Sequence, residues 1–238
     1  MNKEEFIKKL DENIKKMNIN LSNSELEKFY KYKELLIEWN SKINLTAIVD
    51  DIDIINKHFV DSIIINKYVN KEKVIDIGTG AGFPGIPLKI INDKLEVTLL
   101  DSLNKRVNFL NIVINELNLN NIEAIHGRAE EVFKNKKYRE MYDIATSRAV
   151  AQLNVLVEYM LPAVKVGGTC ICMKGNNIKE ELDKSSKAIK VLGGKLEKVE
   201  EFVIPNTDYK RNIIIIKKEK STPIKYPRKA GIPSKEPI

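Results

Sequence analysis

The sequence feature best suited to binding a small molecule is a glycine-rich run, DIGTGAGFPG, at residues 76–85. Glycines that follow a first strand let the backbone turn sharply and approach a ligand closely, which makes Gly78 and Gly80 candidate contacts. Part of the run matches G-x-G-x-x-G, which alone is a weak signal for a dinucleotide. Pro84 favours S-adenosylmethionine instead, because it removes a backbone N–H that a pyrophosphate would use. A tight turn with a purely structural role is the alternative.

Further candidate residues follow later strands, at the edge where open α/β sheets bind ligands. Asp101 ends the second strand, and its carboxylate can accept hydrogen bonds from the ribose diol of S-adenosylmethionine or of NAD. Glu130 can accept from the exocyclic amine of an adenine, while a backbone N–H beside Ala129 donates to the ring; alternatively, Glu130 complements a helix dipole. Arg148 suits the carboxylate of the cofactor or a phosphate of RNA, or is an ordinary surface residue.

Other polar residues have weaker patterns. His58 and Asp61 are three apart on one face of a predicted helix, where they orient the glycine loop or the substrate, or form a structural pair. Lys174 ends the fifth strand and suits either an RNA phosphate or the protein surface. Cys170 and Cys172 alternate in an apolar strand, so we expect reduced core residues and not nucleophiles. No metal site and no dedicated catalytic residue is predicted.

The elements that must position these residues change character after residue 70. Helical periodicity dominates residues 1–70, with a capping-box pattern at Ser24 and Glu27, a break at 40–46 and a further helix at 51–66. Strands are then predicted at 74–77, 95–100, 122–125, 142–146, 168–173, 196–204 and 212–217. One helix is predicted to begin near Pro84, and others are predicted at 104–117, 153–160 and 178–191.

Strands separated by helices predict a parallel sheet that is covered on both faces. The last two strands are joined by a connector at 205–211, which is too short for a parallel crossover and favours an antiparallel pair. We therefore predict an α/β fold with a mostly parallel seven-stranded sheet and one antiparallel strand. The predicted organisation is a helical extension at 1–70, the sheet domain at 71–218 and a C-terminal tail at 219–238.

The charge distribution is compatible with a nucleic-acid partner. The chain of 238 residues has 40 lysines and arginines against 33 acidic residues, a net charge of +7. Residues 217–238 contain seven of these basic residues, two glutamates and four prolines, which exclude a regular helix or a central strand. Lys225, Arg228 and Lys229 are therefore candidate contacts to the RNA backbone, unless the tail is merely solvated.

Composition also bears on where the protein works. No apolar run approaches the roughly 20 residues that span a bilayer. The charged first residues do not form a signal segment, and the two cysteines suit a reducing compartment. We expect a soluble cytoplasmic protein that has no membrane partner and no obligate protein partner.

Several runs together resemble the family of bacterial 16S rRNA guanine-N7 methyltransferases, also called glucose-inhibited division protein B. The resemblance covers nearly the whole chain and is carried by the run at 76–87 and by WN and NLT at 39–46, HFVDS at 58–62, LDS at 100–102 with KR at 105–106, AE at 129–130, SRA at 147–149 and YPRKAG at 226–231. It implies a class I S-adenosylmethionine-dependent methyltransferase fold, with S-adenosylmethionine as donor and S-adenosylhomocysteine as product. It further implies 16S ribosomal RNA of the small subunit as acceptor. The cofactor residues that it implies are Gly78, Phe83, Ala129, Glu130 and Arg148.

The acceptor atom that the resemblance implies would need little help from the protein. Guanine N7 has an exposed lone pair, so no proton leaves before attack and positioning can supply most of the catalysis of a direct in-line displacement. The sequence has neither an NPPY motif, which aligns exocyclic amines, nor a Pro-Cys pair after the fourth strand. Three alternatives remain open: a small-molecule methyltransferase of the same fold, an NAD(P)-binding protein, and a non-enzymatic RNA-binding assembly factor.

Overall fold

The computed structural model describes residues 1–70, 72–176 and 178–238. Residue 71, the expected start of the sheet domain, lies outside these residues, and the three-part division stays a prediction. The helices are α1 Lys3–Lys15, α2 Asn23–Ile43, α3 Asp51–Asp53, α4 Asp61–Ile63, α5 Gly85–Ile91, α6 Asn104–Glu116, α7 Ala129–Val132, α8 Leu153–Met160, α9 Lys179–Val191 and α10 Ile232–Lys235. The strands are β1 Lys73–Ile77, β2 Glu96–Asp101, β3 Ile122–His126, β4 Tyr142–Arg148, β5 Val164–Lys174, β6 Gly194–Val203 and β7 Lys210–Lys218.

Helix α2 begins earlier than the sequence pattern predicts. The capping box consists of Ser22 and Glu25, so the prediction of Ser24 and Glu27 is wrong. The Glu25 N–H donates to the Ser22 hydroxyl, and the Glu25 carboxylate accepts from the Ser22 N–H. Ser22 has the extended backbone that an N-cap needs, whereas Ser24 already lies inside the helix. The helix ends at Ile43, so it extends into the break predicted at 40–46, and it is capped by Asn44, which has a left-handed backbone with φ of +50°.

The helix predicted at 51–66 is divided into pieces. Helix α3 continues into a π-helix, Ile54–Val60, which leads into α4, and a 3₁₀ turn follows at Asn66–Tyr68. π-Helical turns are uncommon and occur frequently at functional sites. This one contains His58, and Asp61 follows it directly.

The sheet confirms the predicted architecture. Its strand order is β3-β2-β1-β4-β5-β7-β6, and all neighbouring strands are parallel except those that pair with β7. Strand β7 lies antiparallel between β5 and β6, as the short connector predicts. Because β1 and β4 are neighbours and the chain order reverses there, the carboxyl ends of β1, β2 and β4 surround one crevice.

Each face of the sheet has its own hydrophobic core. On one face, strand residues such as Val74, Leu99 and Ile215 pack with the N-terminal helices and with α5 and α6. On the other face, Ile75 and Ile216 pack with α7, α8 and α9. Alternate residues of the central strands supply opposite cores, so β1, β4, β5 and β7 are buried along most of their length, whereas the edge strand β6 is charged and mostly exposed. No helix of the described residues is both long and apolar enough to cross a bilayer.

The C-terminal segment returns across the second face and is ordered by packing. The guanidinium of Arg139 donates to the carbonyl oxygens of Thr222 and Tyr226, each at 2.7 Å. Thr222 is buried, and its hydroxyl donates to the Leu192 carbonyl oxygen at 2.8 Å. The prediction that the prolines exclude regular helix is wrong for four residues, because α10 places Pro233 in its first turn, where a missing N–H costs nothing.

Candidate cofactor and acceptor site

The glycine-rich loop turns directly after β1. Gly78 and Gly80 have positive φ angles of +68° and +62°, which side chains other than glycine adopt at a cost. The N–H groups of Gly78 and Thr79 donate to the Leu100 carbonyl oxygen at 2.8 and 3.1 Å, which ties the loop to the end of β2. The loop therefore leaves a bare stretch of backbone at the carboxyl edge of the sheet.

Two buried carboxylates hold this loop in place. One oxygen of Asp76, Oδ2, accepts from the Thr79 hydroxyl at 2.7 Å and from the Gly85 N–H at 2.8 Å. Burial raises the pKa of Asp76 to about 6, against the lowering effect of these donors. Asp101 accepts from the N–H of Gly80 and of Leu103, both at 2.9 Å. A carboxylate has further lone pairs, so the predicted contact of Asp101 with a ribose stays a prediction.

Two cavities meet at Gly78. The outer cavity, about 330 Å³, is lined by Gly78, Ser102, Ala129, Glu130, Tyr159 and Ser234 among others. The glycine-loop cavity, about 170 Å³, is lined by Gly78, Gly80, Phe83, Thr46, His58 and Arg148 among others. The structure thus places all the predicted cofactor residues except Asp101 on the walls of these two cavities.

The ring of Phe83 is enclosed by side chains from the N-terminal helices. His58 stacks on it with ring centroids 4.5 Å apart and planes inclined by 10°, and Tyr32 stacks on it at 5.4 Å. The Arg148 guanidinium lies 5.0 Å from the same ring centroid. The hydroxyl of Tyr32 also donates to the Ala81 carbonyl oxygen, which secures the loop to α2. The glycine loop is therefore supported by side chains of α2 and of the π-helix.

Arg148 connects β4 to the π-helical region. Its Nη1 donates to Asp61 Oδ2 at 2.9 Å and to the Lys57 carbonyl oxygen at 2.8 Å. Its Nη2 lies 3.2 Å from His58 Nδ1. Asp61 is 2% exposed, and Arg211 Nε donates to its second oxygen at 2.9 Å. His58 and Asp61 thus act together through Arg148, and neither forms a direct pair with the other.

His58 is neutral at physiological pH. Burial and, to a smaller extent, the positive charge of Arg148 together lower its pKa to about 3. Since Arg148 donates toward Nδ1, the proton must be on Nε2, which then donates to the Thr46 hydroxyl at 2.9 Å. Thr46 is itself held by Asn40, whose side-chain oxygen accepts from the Thr46 N–H at 2.8 Å.

A third cavity lies on the other side of Arg148. This basic cavity, about 360 Å³, is lined by His58, Lys57, Arg148, Ala149, Lys174 and Arg211 among others. Lys174 pairs with Glu181 at 2.8 Å, and Asp61 neutralises part of the remaining charge. Ala149 has a φ of +55°, a left-handed backbone that residues with a Cβ adopt at a cost.

The two cysteines lie in the core beneath α8. Cys170 and Cys172 are both fully buried on the same face of β5, as the sequence predicts. Burial raises the pKa of the Cys172 thiol to about 12 and raises that of Cys170 strongly as well. Neither thiol can therefore supply a thiolate nucleophile at neutral pH.

Replacing both cysteines with alanine should leave turnover unchanged and reduce stability. Two small core cavities should lower the free energy of unfolding by about 1–3 kcal/mol in total. The measurement is turnover at a temperature where circular dichroism shows both proteins folded. Loss of turnover in a folded double variant, or a covalent RNA adduct on either thiol, would contradict direct transfer.

Several site residues were beyond the reach of sequence reasoning. Arg211 and Lys57 line the basic cavity, yet no local pattern distinguishes them from surface residues. Ser234 and Tyr159 line the outer cavity, and they are 75 residues apart in the chain. Thr46 had a signal, because it lies in one of the runs on which the family resemblance depends.

The three predicted RNA-binding residues of the tail lie in different surroundings. Lys225 and Lys229 are exposed on the rim of a shallow cavity that Lys134 also lines. Arg228, by contrast, is paired with the buried carboxylate of Glu158 at 2.7 Å. Its charge is already compensated, so only the two lysines are retained as candidate RNA contacts.

Solved structures share the sheet architecture. A SAM dependent methyltransferase from Aquifex aeolicus matches 70% of this chain and 93% of its own, with a TM-score of 0.52 and 19% identity. M. jannaschii TYW2 in complex with AdoMet matches 66% of this chain and 76% of its own, with a TM-score of 0.53 and 17% identity. At such low identity these likenesses establish the fold, and the predicted methyltransferase fold is confirmed.

Sequence relatives are much closer. The family described as rRNA small subunit methyltransferase G matches residues 25–214. The Ribosomal RNA small subunit methyltransferase G of Acetivibrio thermocellus is 55% identical over 92% of this chain and 91% of its own length. The protein of the same name from Alkaliphilus oremlandii is 54% identical over 96% of this chain and 97% of its own. The chain therefore belongs to the rRNA small subunit methyltransferase G family, and the resemblance noted in the sequence is confirmed.

Proposed function

We propose that this chain transfers the methyl group of S-adenosylmethionine to N7 of a guanine in 16S ribosomal RNA of the small subunit, in the cytoplasm. The observation that carries the proposal is the wall that the glycine-loop cavity shares with the basic cavity. His58, Arg148 and Ala149 line both cavities. The two cavities are therefore adjacent, so a donor in the glycine-loop cavity would lie next to the basic cavity that we assign to the acceptor, as direct in-line transfer requires. The names of the relatives support ribosomal RNA as the acceptor.

The two cavities at Gly78 fit the two ends of S-adenosylmethionine. Glu130, in the outer cavity, has the acceptor that an adenine amine requires, and Arg148, in the glycine-loop cavity, has the cation that a carboxylate requires. A guanidinium has five N–H donors, of which the three described contacts of Arg148 use three. Two donors therefore remain for a ligand, and the bare backbone of Gly78 lies between the two ends.

The chain's own residues act by positioning. S-adenosylmethionine supplies a methyl group on a positively charged sulfur, which leaves S-adenosylhomocysteine after transfer. Guanine N7 offers a lone pair without losing a proton, so no residue need act as a general base. His58, neutral and stacked on Phe83, fixes the ring that lines the glycine-loop cavity. The four cations around the basic cavity are paired with three carboxylates, those of Asp53, Asp61 and Glu181, which leaves one positive charge in excess. This excess suits a phosphate that flanks the acceptor base.

The test is tritiated methyl transfer to small ribosomal subunits from a strain that lacks the enzyme, followed by mapping of the labelled base. We expect label on N7 of a guanine in 16S RNA. Label on another base or on a small molecule, or no transfer at all, would contradict the proposal. Calorimetry with S-adenosylhomocysteine against NADH separates this function from a dinucleotide-binding protein, because only the former should bind.

The two exposed lysines of the tail should contribute to RNA affinity in a salt-dependent way. Replacing Lys225 and Lys229 with methionine removes two contacts to the RNA backbone, so fewer counterions are released on binding. The slope of log affinity against log salt should fall by about 1.5 for two lost contacts. The measurement is a titration against ribosomal RNA at several salt concentrations.

A matched control removes the same charge elsewhere. Lys187 and Lys190 are exposed on α9, and their replacement with methionine changes the net charge by the same amount. If both pairs flatten the salt dependence equally, the effect belongs to overall charge and the tail does not contact RNA.

A further inference from the structure

Residues 222–236 form a closing segment that runs from the end of β7 to the outer cavity. Its first half is fixed by Arg139, which donates to the carbonyl oxygens of Thr222 and Tyr226. Glu140 adds a contact, since its carboxylate accepts from the Thr222 N–H at 2.7 Å. The segment is therefore attached to the methyltransferase fold before it reaches the cavity.

An ion pair between a buried glutamate and a partly exposed arginine anchors the middle of the closing segment. Arg228 donates from Nε and Nη2 to the two oxygens of Glu158, at 3.0 and 2.7 Å, and its backbone N–H donates at 2.8 Å. Glu158 is fully buried in α8, whose other inward residues are apolar. A carboxylate in such surroundings depends on its partner, since breaking a buried pair by removing one member is strongly destabilising.

The closing segment then contacts the residue that faces the proposed adenine. The Gly231 N–H donates to Glu130 Oε1 at 3.1 Å, and Glu130 is 5% exposed. The Ser234 hydroxyl lies 3.3 Å from the Tyr159 hydroxyl, and both residues line the outer cavity with Glu130. One oxygen of Glu130 is thus held by the segment, which fixes the direction of the other.

We propose that the closing segment is part of the cofactor site and that Arg228 is a positioning residue for S-adenosylmethionine. Arg228 holds the segment on Glu158, Gly231 orients Glu130, and Ser234 completes the wall of the outer cavity. The inference rests on the proposed placement of the adenosyl group in that cavity. It assigns Arg228 to cofactor binding and leaves Lys225 and Lys229 as the candidate RNA contacts of the tail.

The experiment compares three variants by calorimetry with S-adenosylhomocysteine. Arg228→Met releases the anchor and should weaken binding about tenfold, since a flexible segment must be ordered again when the ligand binds. Ser234→Trp places a bulky ring at the cavity wall from an exposed position, and it should weaken binding similarly without threatening the fold. Lys220→Met removes an exposed positive charge from the same tail and should leave the dissociation constant unchanged.

Kinetics distinguish positioning from a general loss of structure. In Arg228→Met the KM for S-adenosylmethionine should rise about tenfold, while kcat at saturating cofactor and the KM for RNA stay near those of the wild type. Arg228→Lys should restore part of the affinity. Hydrogen exchange at residues 228–236 should slow in the wild type when S-adenosylhomocysteine is added.

Two outcomes would overturn the inference. One is a rise in the KM for RNA alone in Arg228→Met, which would assign the residue to RNA. The other is wild-type affinity for S-adenosylhomocysteine in Ser234→Trp, which decides the matter even if Arg228→Met does not fold. Failure of the proposed function is a separate result, because in that case the wild-type protein itself would not bind S-adenosylhomocysteine.

Discussion

An Arg148→Lys variant should lose about a hundredfold or more in kcat/KM for methyl transfer. The guanidinium fork contacts Asp61, His58 and the Lys57 carbonyl group at the same time, while it faces Phe83. A lysine ammonium is a compact point charge that cannot hold this planar arrangement. A misplacement of about 1 Å at a positioning residue is enough to cost about a hundredfold. Lysine is preferred to methionine here because it keeps a positive charge beside the buried Asp61.

Arg211→Lys is the matched control for this prediction. Arg211 also donates to Asp61, but it contacts neither His58 nor Phe83 in the described contacts and lines only the basic cavity of the three. We expect its replacement to raise the KM for RNA and leave the affinity for S-adenosylhomocysteine unchanged. Arg148→Lys should impair both. Equal effects of the two substitutions on cofactor affinity would contradict the assignment of Arg148 to the glycine-loop cavity.

A Gly78→Val variant should lose S-adenosylhomocysteine affinity by about a hundredfold or more, which corresponds to about 2.7 kcal/mol. A Cβ at Gly78 would lie 2.5 Å from Val150 Cγ2, and its φ of +68° is strongly unfavourable for a β-branched residue. The side chain would also stand where the outer and glycine-loop cavities meet. The measurement is calorimetry, with circular dichroism to confirm that the variant folds.

Gly80→Ala separates backbone strain from lost space. Gly80 has nearly the same backbone conformation as Gly78, but no atom lies within 4 Å of a Cβ added there. The backbone strain in Gly80→Ala should lower the free energy of unfolding by roughly 1–2 kcal/mol. Its loss of cofactor affinity should be smaller than that of Gly78→Ala. If both alanine variants bind equally well, the close approach of a ligand to Gly78 is refuted.

The fold was accessible from the sequence because its signals are local. Apolar strands alternate with helices, and the short connector before β7 was enough to predict the one antiparallel strand. The glycine loop was equally plain, since its residues are consecutive and their positive φ angles restrict the choice of amino acid. The capping box was predicted two residues too late, because both serines are followed three residues later by a glutamate. Only the position where the helix begins distinguishes them.

The network around Arg148 could not be predicted, because its members meet only in the folded protein. Arg148 is 87 residues from Asp61, and Asp61 is 150 residues from Arg211. For Arg228 a signal did exist. Glu158 is the one charged residue in α8, and a carboxylate in an apolar helix requires a cation from elsewhere in the chain. The sequence does not say which basic residue that is.

The pair of Glu158 and Arg228 also constrains the order in which a newly made chain can mature. Arg228 is synthesised 70 residues after Glu158. Until it emerges, α8 can pack on the sheet only by burying a carboxylate that lacks its partner, which is costly. If the adenosyl group binds as proposed, its end of the site is completed only when residues 228–234 have been made, after the glycine loop and all seven strands.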